Sequence, residues 1–245
     1  MKMLFRSALM IFFVLATADL VAQDSTTVRS KWSIGMNVSP ALAYRDLELV
    51  DGSVFPTNLV DARNDLEDPR FGGSIAIMAA YSFNERFAIE AGIGYTLHGW
   101  QLDLDELDFG DPIDPRRGFV YATEDLVINS IRQEFHYLDF PIRGMITFGK
   151  GRLRSVSSIG GSLNILQRAA NVSVINDERR STEQDYYEDL NFTVMASTGI
   201  AFKPEGRSEF RLEPTFRYAL LPIIDAPITG YLWSAGVNFG WYVTL

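Results

Sequence analysis

Between Phe71 and Leu97 the chain alternates side-chain character at every residue, and this constrains the fold more than any other feature. Ile75, Ile77, Ala79, Tyr81 and Phe83 share one face, against Ser74, Ala76, Met78, Ala80 and Ser82 on the other. After Asn84-Glu85-Arg86 the pattern resumes, with Phe87, Ile89, Ala91, Ile93, Tyr95 and Leu97 against Ala88, Glu90, Gly92, Gly94 and Thr96. A period of two specifies strands, because successive side chains leave a pleated backbone on opposite faces. One face is a continuous apolar and aromatic stripe, while the other is small or polar with a single carboxylate. That is the lipid-out, lumen-in arrangement of a transmembrane β-hairpin.

The same alternation recurs along the chain. Trp32–Leu42 forms a first strand, with Trp32, Ile34, Met36 and Val38 on its apolar face. Further strands are read over Phe135–Phe148, Leu153–Leu166, Leu190–Phe202 and Glu209–Leu220. The uncharged segment Ala226–Leu245 is long enough for a transmembrane helix, yet it contains Pro227, Gly230, Gly236 and Gly240 and its apolar residues alternate. It is therefore read as a last strand. Together these predict an all-β fold, an eight-stranded antiparallel up-and-down transmembrane β-barrel.

Residues 1–22 are set apart as a Sec signal peptide, with Lys2 and Arg6 before an apolar centre, leaving residues 23–245 as one barrel domain. That centre falls short of the ~20 apolar residues a spanning helix needs. The predicted location is the outer membrane of a Gram-negative bacterium. A formal charge of -9 argues against a nucleic-acid partner, and the absence of cysteine removes thiol chemistry, disulfides and a lipoprotein anchor.

Connections alternate between long and short, so the long polar segments 44–70, 98–131 and 167–188 share one rim. Strand ends near the short turns carry Trp32, Phe83, Phe87, Phe148, Phe202, Phe210 and Trp241, the expected aromatic girdle of a membrane interface. Pro141 and Pro214 fall inside strands, where each removes a ladder donor, and a bulge or local break is expected at each. The competing soluble barrel of lipocalin type would turn the Ser, Gly and Asn face to water and bury the aromatic stripe. So bland an exterior, with few charges, disfavours it.

With its signal, its terminal aromatic strand and the run His136-Tyr137-Leu138-Asp139-Phe140-Pro141-Ile142, the chain resembles the PorT-type outer-membrane β-barrel family of Bacteroidetes. Members carry a Tyr-Leu-Glu-Ile-Pro-Leu-like run, to which Tyr137 to Ile142 is similar with Asp139 as the acid. The resemblance covers most of the mature chain and implies an eight-stranded barrel. Its founding member belongs to the type IX secretion apparatus. Leu245 departs from the terminal Phe or Trp common in exported barrels, although it stays in phase with Trp241 and Val243.

The inward face carries Glu90, Asp139, Arg143, Arg154, Arg211, Glu213 and Arg217. A barrel of eight strands has room inside only for side chains, so these charges should neutralise one another in a lumen network. Glu90 and Arg143 lie on neighbouring strands at similar height and are expected to form an ion pair. The acidic stretch Asp103, Asp105, Glu106, Asp108, Asp111 and Asp114 lacks EF-hand spacing, which leaves loose surface Ca²⁺ binding as a weaker alternative to a solvated loop. His98 and His136 are read as loop or rim residues and lack the His-x-Ser pair of outer-membrane deacylases. No catalytic residue, metal ligand set or cofactor site is assigned.

Function is therefore expected to be non-enzymatic. The barrel would contact outer-membrane lipid with its exterior and envelope or secretion-complex proteins with its extracellular loops. A channel for ions or small solutes, and a lipid-modifying enzyme, are the two alternatives.

Overall fold

The computed structural model describes residues 31–49, 66–103, 128–175, 178–224 and 226–245, with Val60 and Asn64. The signal segment 1–22 and the acidic residues from Asp105 to Asp114 lie outside the described residues. Among the described residues nine strands are present: β1 (Trp32–Leu49), β2 (Glu67–Ser82), β3 (Phe87–Asp103), β4 (Ile128–Phe148), β5 (Leu153–Ile175), β6 (Glu178–Glu183), β7 (Leu190–Phe202), β8 (Ser208–Ala219) and β9 (Ile228–Thr244). All pairings are antiparallel. They run β4-β3-β2-β1-β9-β8-β7-β5, and β4 pairs with β5 to close a ring of eight. Closure leaves no exposed ladder at membrane depth, which hydrocarbon would not tolerate.

The ring contains the eight strands read from the sequence, each in its predicted place. Five of them continue into the polar segments: β1 to Leu49, β2 from Glu67, β3 to Asp103, β4 from Ile128 and β5 to Ile175. Strand β6 was missed, because Glu178–Glu183 has no apolar residue to reveal a strand period. It pairs with β5 from Ala170 to Ile175, above the point where β5 leaves β7 at Ile165.

Short turns close the opposite rim. Asn84 Oδ1 accepts the backbone N–H of Arg86 at 2.8 Å and of Phe87 at 2.9 Å, a side-chain substitute for turn hydrogen bonds. In the next turn Gly149 and Gly151 take φ of 92° and 98°, a region costly for residues with a Cβ.

The prolines interrupt pairing without adding a residue. Between β3 and β4 the pairs step from Ala91↔Ile142 to Gly94↔Asp139, and between β7 and β8 from Ser197↔Thr215 to Ile200↔Leu212, with register unchanged. Pro141 and Pro214 lie in these gaps, while each stays paired on its other side. Pro40 does the same between β1 and β9. The expected disturbance is thus a local break and not a bulge, since a missing N–H removes a ladder bond but no length. Bulges occur elsewhere, between Pro69 and Gly73 in β2 and beside His136 and Tyr137 in the β4–β5 pair.

Candidate functional site

Strand parity decides which side chains enter the ring. Ile77, Ile93, Ile142, Phe192, Phe216 and Phe239 face outward and are exposed, whereas Glu90 and Glu213 are completely buried. This is an inside-out distribution compared with a water-soluble core. Trp32, Phe83, Phe87, Phe148, Phe202 and Phe210 lie exposed near the short-turn rim, and Trp241 pairs in register with Phe210 beside them. A second aromatic band, which the sequence reading did not assemble, lies nearer the long-loop rim. Tyr44 packs on Trp233 with ring centroids 6.0 Å apart, Phe216 on Trp233 at 6.2 Å and Tyr218 on Tyr231 at 6.4 Å. From Trp241 to Trp233 the chain climbs eight residues, roughly 20 Å along the axis at a tilt of about 40°. That approximates the apolar band of an outer membrane.

The lumen is filled in layers. Ala88, Met145, Val156 and Ala201 form an apolar floor toward the short turns. Above it lies the charged layer. Register places Glu90 directly opposite Arg143, and Arg143 Nε donates to Glu90 Oε2 at 2.7 Å. Arg211 reaches the other carboxylate oxygen of Glu90 from across the lumen. Tyr242 Oη donates to Glu90 Oε2 at 3.0 Å and accepts from Arg143 Nη2 at 3.1 Å. Its ring also lies under the Arg211 guanidinium, 4.0 Å from the centroid.

Glu213 continues the network. It accepts from Ser197 Oγ at 2.8 Å and Asn238 Nδ2 at 3.1 Å, with Arg143 Nη2 3.5 Å away. Arg211 Nε also donates to Glu209 at 2.7 Å, and Arg154 Nη2 reaches the same carboxylate at 2.6 Å. Three guanidiniums thus face three carboxylates. Charges paired in this way rigidify a buried polar core, and among the described residues of this layer Arg154 Nε is the buried guanidinium nitrogen left without a hydrogen bond.

Two of the expected charges sit apart from that cluster. Asp139 accepts from Thr96 Oγ1 and from Asn164 Nδ2, the latter at 2.7 Å, and contacts no arginine directly. Arg217 also faces inward but joins neither group. Glu209 and Tyr242 were missing from the expected set. Glu209 begins the seventh predicted strand and Tyr242 has the right parity, so alternation alone could have placed both indoors.

An aromatic roof closes the long-loop end. Trp100, Phe135, Tyr137, Ile223 and Leu232 are buried together, with Tyr187 packed edge-on against Phe135 at 4.7 Å. Arg45, 1% exposed, pairs with Glu67 and lies over the Trp100 ring at 4.4 Å. The bulge before Gly73 shifts strand parity and turns Glu67 onto the same face as Arg45.

The histidines are not where the sequence reading put them. His98 lies within β3 and is buried in the lumen, stacked edge-on against Tyr137 at 6.4 Å. His136 lies within β4 on the outer face, with Nδ1 2.6 Å from Tyr95 Oη. Extension of β3 and β4 past the predicted ends accounts for both. Among the described residues, no group of three or more metal-ligating side chains is present.

Beyond the roof, β3, β4, β5 and β6 rise as a sheet. Glu134 binds Arg70 at 2.8 Å and Arg179 at 3.4 Å at its base, and Arg168 pairs with Glu183 at 2.8 Å. Strand β6 ends the strand order, and Arg179 to Glu183 are exposed.

A family model described as Outer membrane protein beta-barrel domain matches residues 21–225. Among solved structures, Neisserial surface protein A is similar at 12% identity, covering 89% of this chain and 100% of that one, with a TM-score of 0.44. Outer membrane protein OprG from Pseudomonas aeruginosa shows 10% identity, coverage of 91% and 100%, and a TM-score of 0.42. Ail, the attachment invasion locus protein of Yersinia pestis, shows 10% identity, coverage of 87% and 99%, and a TM-score of 0.36. No curated protein matches the chain.

Proposed function

The chain belongs to the outer membrane protein beta-barrel domain family and resides in the outer membrane; from that premise we propose that it is a plugged, non-enzymatic scaffold displaying a partner-binding sheet. The observation that carries this reading is β6. Among the described residues β6 is bonded to a neighbouring strand on one side only, and such an edge presents N–H and C=O groups onto which an extended segment of another protein can add. Its exposed Arg179, Arg180 and Glu183 discourage self-pairing of that edge while leaving it open to a complementary strand.

The filled lumen supports a scaffold over a channel, because apolar floor, charged layer and aromatic roof lie in series along the axis. A non-enzymatic role is supported by the histidines: His98 packs on Tyr137 and His136 bonds to Tyr95, and among the described residues neither is hydrogen-bonded to a serine or threonine hydroxyl. The narrower proposal is an accessory of a secretion or envelope complex, type IX in particular. It rests on the resemblance of the Tyr137 to Ile142 run to PorT-type barrels.

A photocrosslinking residue at Thr182 tests the scaffold reading in intact cells. Capture of one defined envelope protein, lost when Ser181→Pro removes an outward-facing N–H from the edge, is the expected result. Stepwise conductance of the purified chain in planar bilayers would replace this reading with a channel, and turnover of lipid dependent on His136 would replace it with an enzyme.

A further inference from the structure

Between the charged layer and the aromatic roof lies a small internal cavity, lined by Arg217, His98, Ser39, Ser74, Thr96 and Ser234 among others. Two features mark it. Among the described residues, no hydrogen bond or ion pair reaches the Arg217 guanidinium, although five N–H groups must be satisfied there. His98 is 7% exposed, and its Nδ1 is buried without a partner.

The two groups face each other across the lumen, Arg217 from β8 and His98 from β3 on the opposite side of the ring. The lining carries no carboxylate; Ser39, Thr96 and Thr215 already donate elsewhere, so Arg217, Ser74, Ser234 and His98 are the groups left to donate to an acceptor there. Asp139, which acts on Arg217 only at a distance, is already held by Thr96 and Asn164. The free space of about 10 Å³ matches one water-sized particle, admits a halide with a small outward movement of the flexible Arg217 side chain, and is too small for phosphate, sulfate or carboxylates.

We infer that this cavity is a binding site for a single halide-sized anion, chloride in the cell, held by Arg217 and His98 as a structural counter-ion of the outer half of the lumen. A guanidinium stays protonated at any accessible pH, so its charge requires an acceptor that the surrounding strands do not supply in direct contact.

Crystals of the full chain in detergent, soaked in sodium bromide, give the direct test. An anomalous bromide peak inside the ring, within hydrogen-bonding reach of Arg217 and His98, is expected. Water density without anomalous signal overturns the inference, as do bromide peaks confined to the surface, which would mean an adventitious ion only. In solution, replacing sodium gluconate with sodium chloride at constant ionic strength should raise the unfolding temperature of the natural chain and of Arg217→Lys, but not of Arg217→Gln. An equal chloride response in Arg217→Gln also overturns it. Should that variant fail to fold, the bromide measurement on the natural chain decides alone.

Discussion

Tyr242 of β9 donates a 3.0 Å hydrogen bond to Glu90 of β3, although two other strands of the ring stand between them. The contact crosses the lumen. It shows that the barrel is braced from within as well as along its ladders, with Glu90 as the meeting point of Arg143, Arg211 and Tyr242.

Removing that meeting point should be costly. Glu90→Gln leaves two guanidiniums facing each other without their shared carboxylate, and a loss of ~3–5 kcal/mol is expected. Urea unfolding in lipid vesicles measures it. Adding Arg143→Met to the Glu90→Gln chain should cost much less than Arg143→Met alone, because the two groups act on each other. Strict additivity would refute the shared network.

The bulge in β2 makes a second prediction. Gly73 has φ of 147°, and a Cβ there would overlap the backbone oxygen of Ser39. Gly73→Ala should destabilise by ~1–3 kcal/mol. Its effect should be smaller in a chain already carrying Arg45→Met, since straightening the bulge turns Glu67 away from Arg45. Denaturant titration of both backgrounds checks this.

Depth in the membrane should grade the cost of a charge on the outer face. Ile77, 62% exposed and well inside the apolar band, should lose ~2–4 kcal/mol on substitution by arginine, whereas Phe87 at the short-turn rim should lose ~0–1 kcal/mol. Equal penalties would place the hydrocarbon elsewhere.

Orientation is open to chemical labelling because the chain has no cysteine. Thr182→Cys on β6 should react with a membrane-impermeant maleimide on intact cells. Glu85→Cys, in the short turn between β2 and β3, should react only after the outer membrane is broken. The reverse result would invert the barrel.

Much of this fold was legible because alternation encodes it locally. Each strand of the ring shows its two faces within about ten residues, and the Glu90–Arg143 pair follows from a hairpin-like neighbour relation that simple counting can place. Strand β6 was not legible: Glu178–Glu183 is polar throughout, and its strand character comes from pairing with β5. His98 was misjudged for a related reason, since β3 continues past Leu97 because β2 and β4 continue beside it.

By itself the sequence determined which side chains meet lipid and which enter the lumen, because a period of two is a property of the extended backbone. Only the tertiary structure decided which inward groups touch. Arg211 reaching Glu90, Tyr242 bridging both and Arg217 standing apart depend on ring closure and strand stagger, which set distances across the lumen that no local pattern contains.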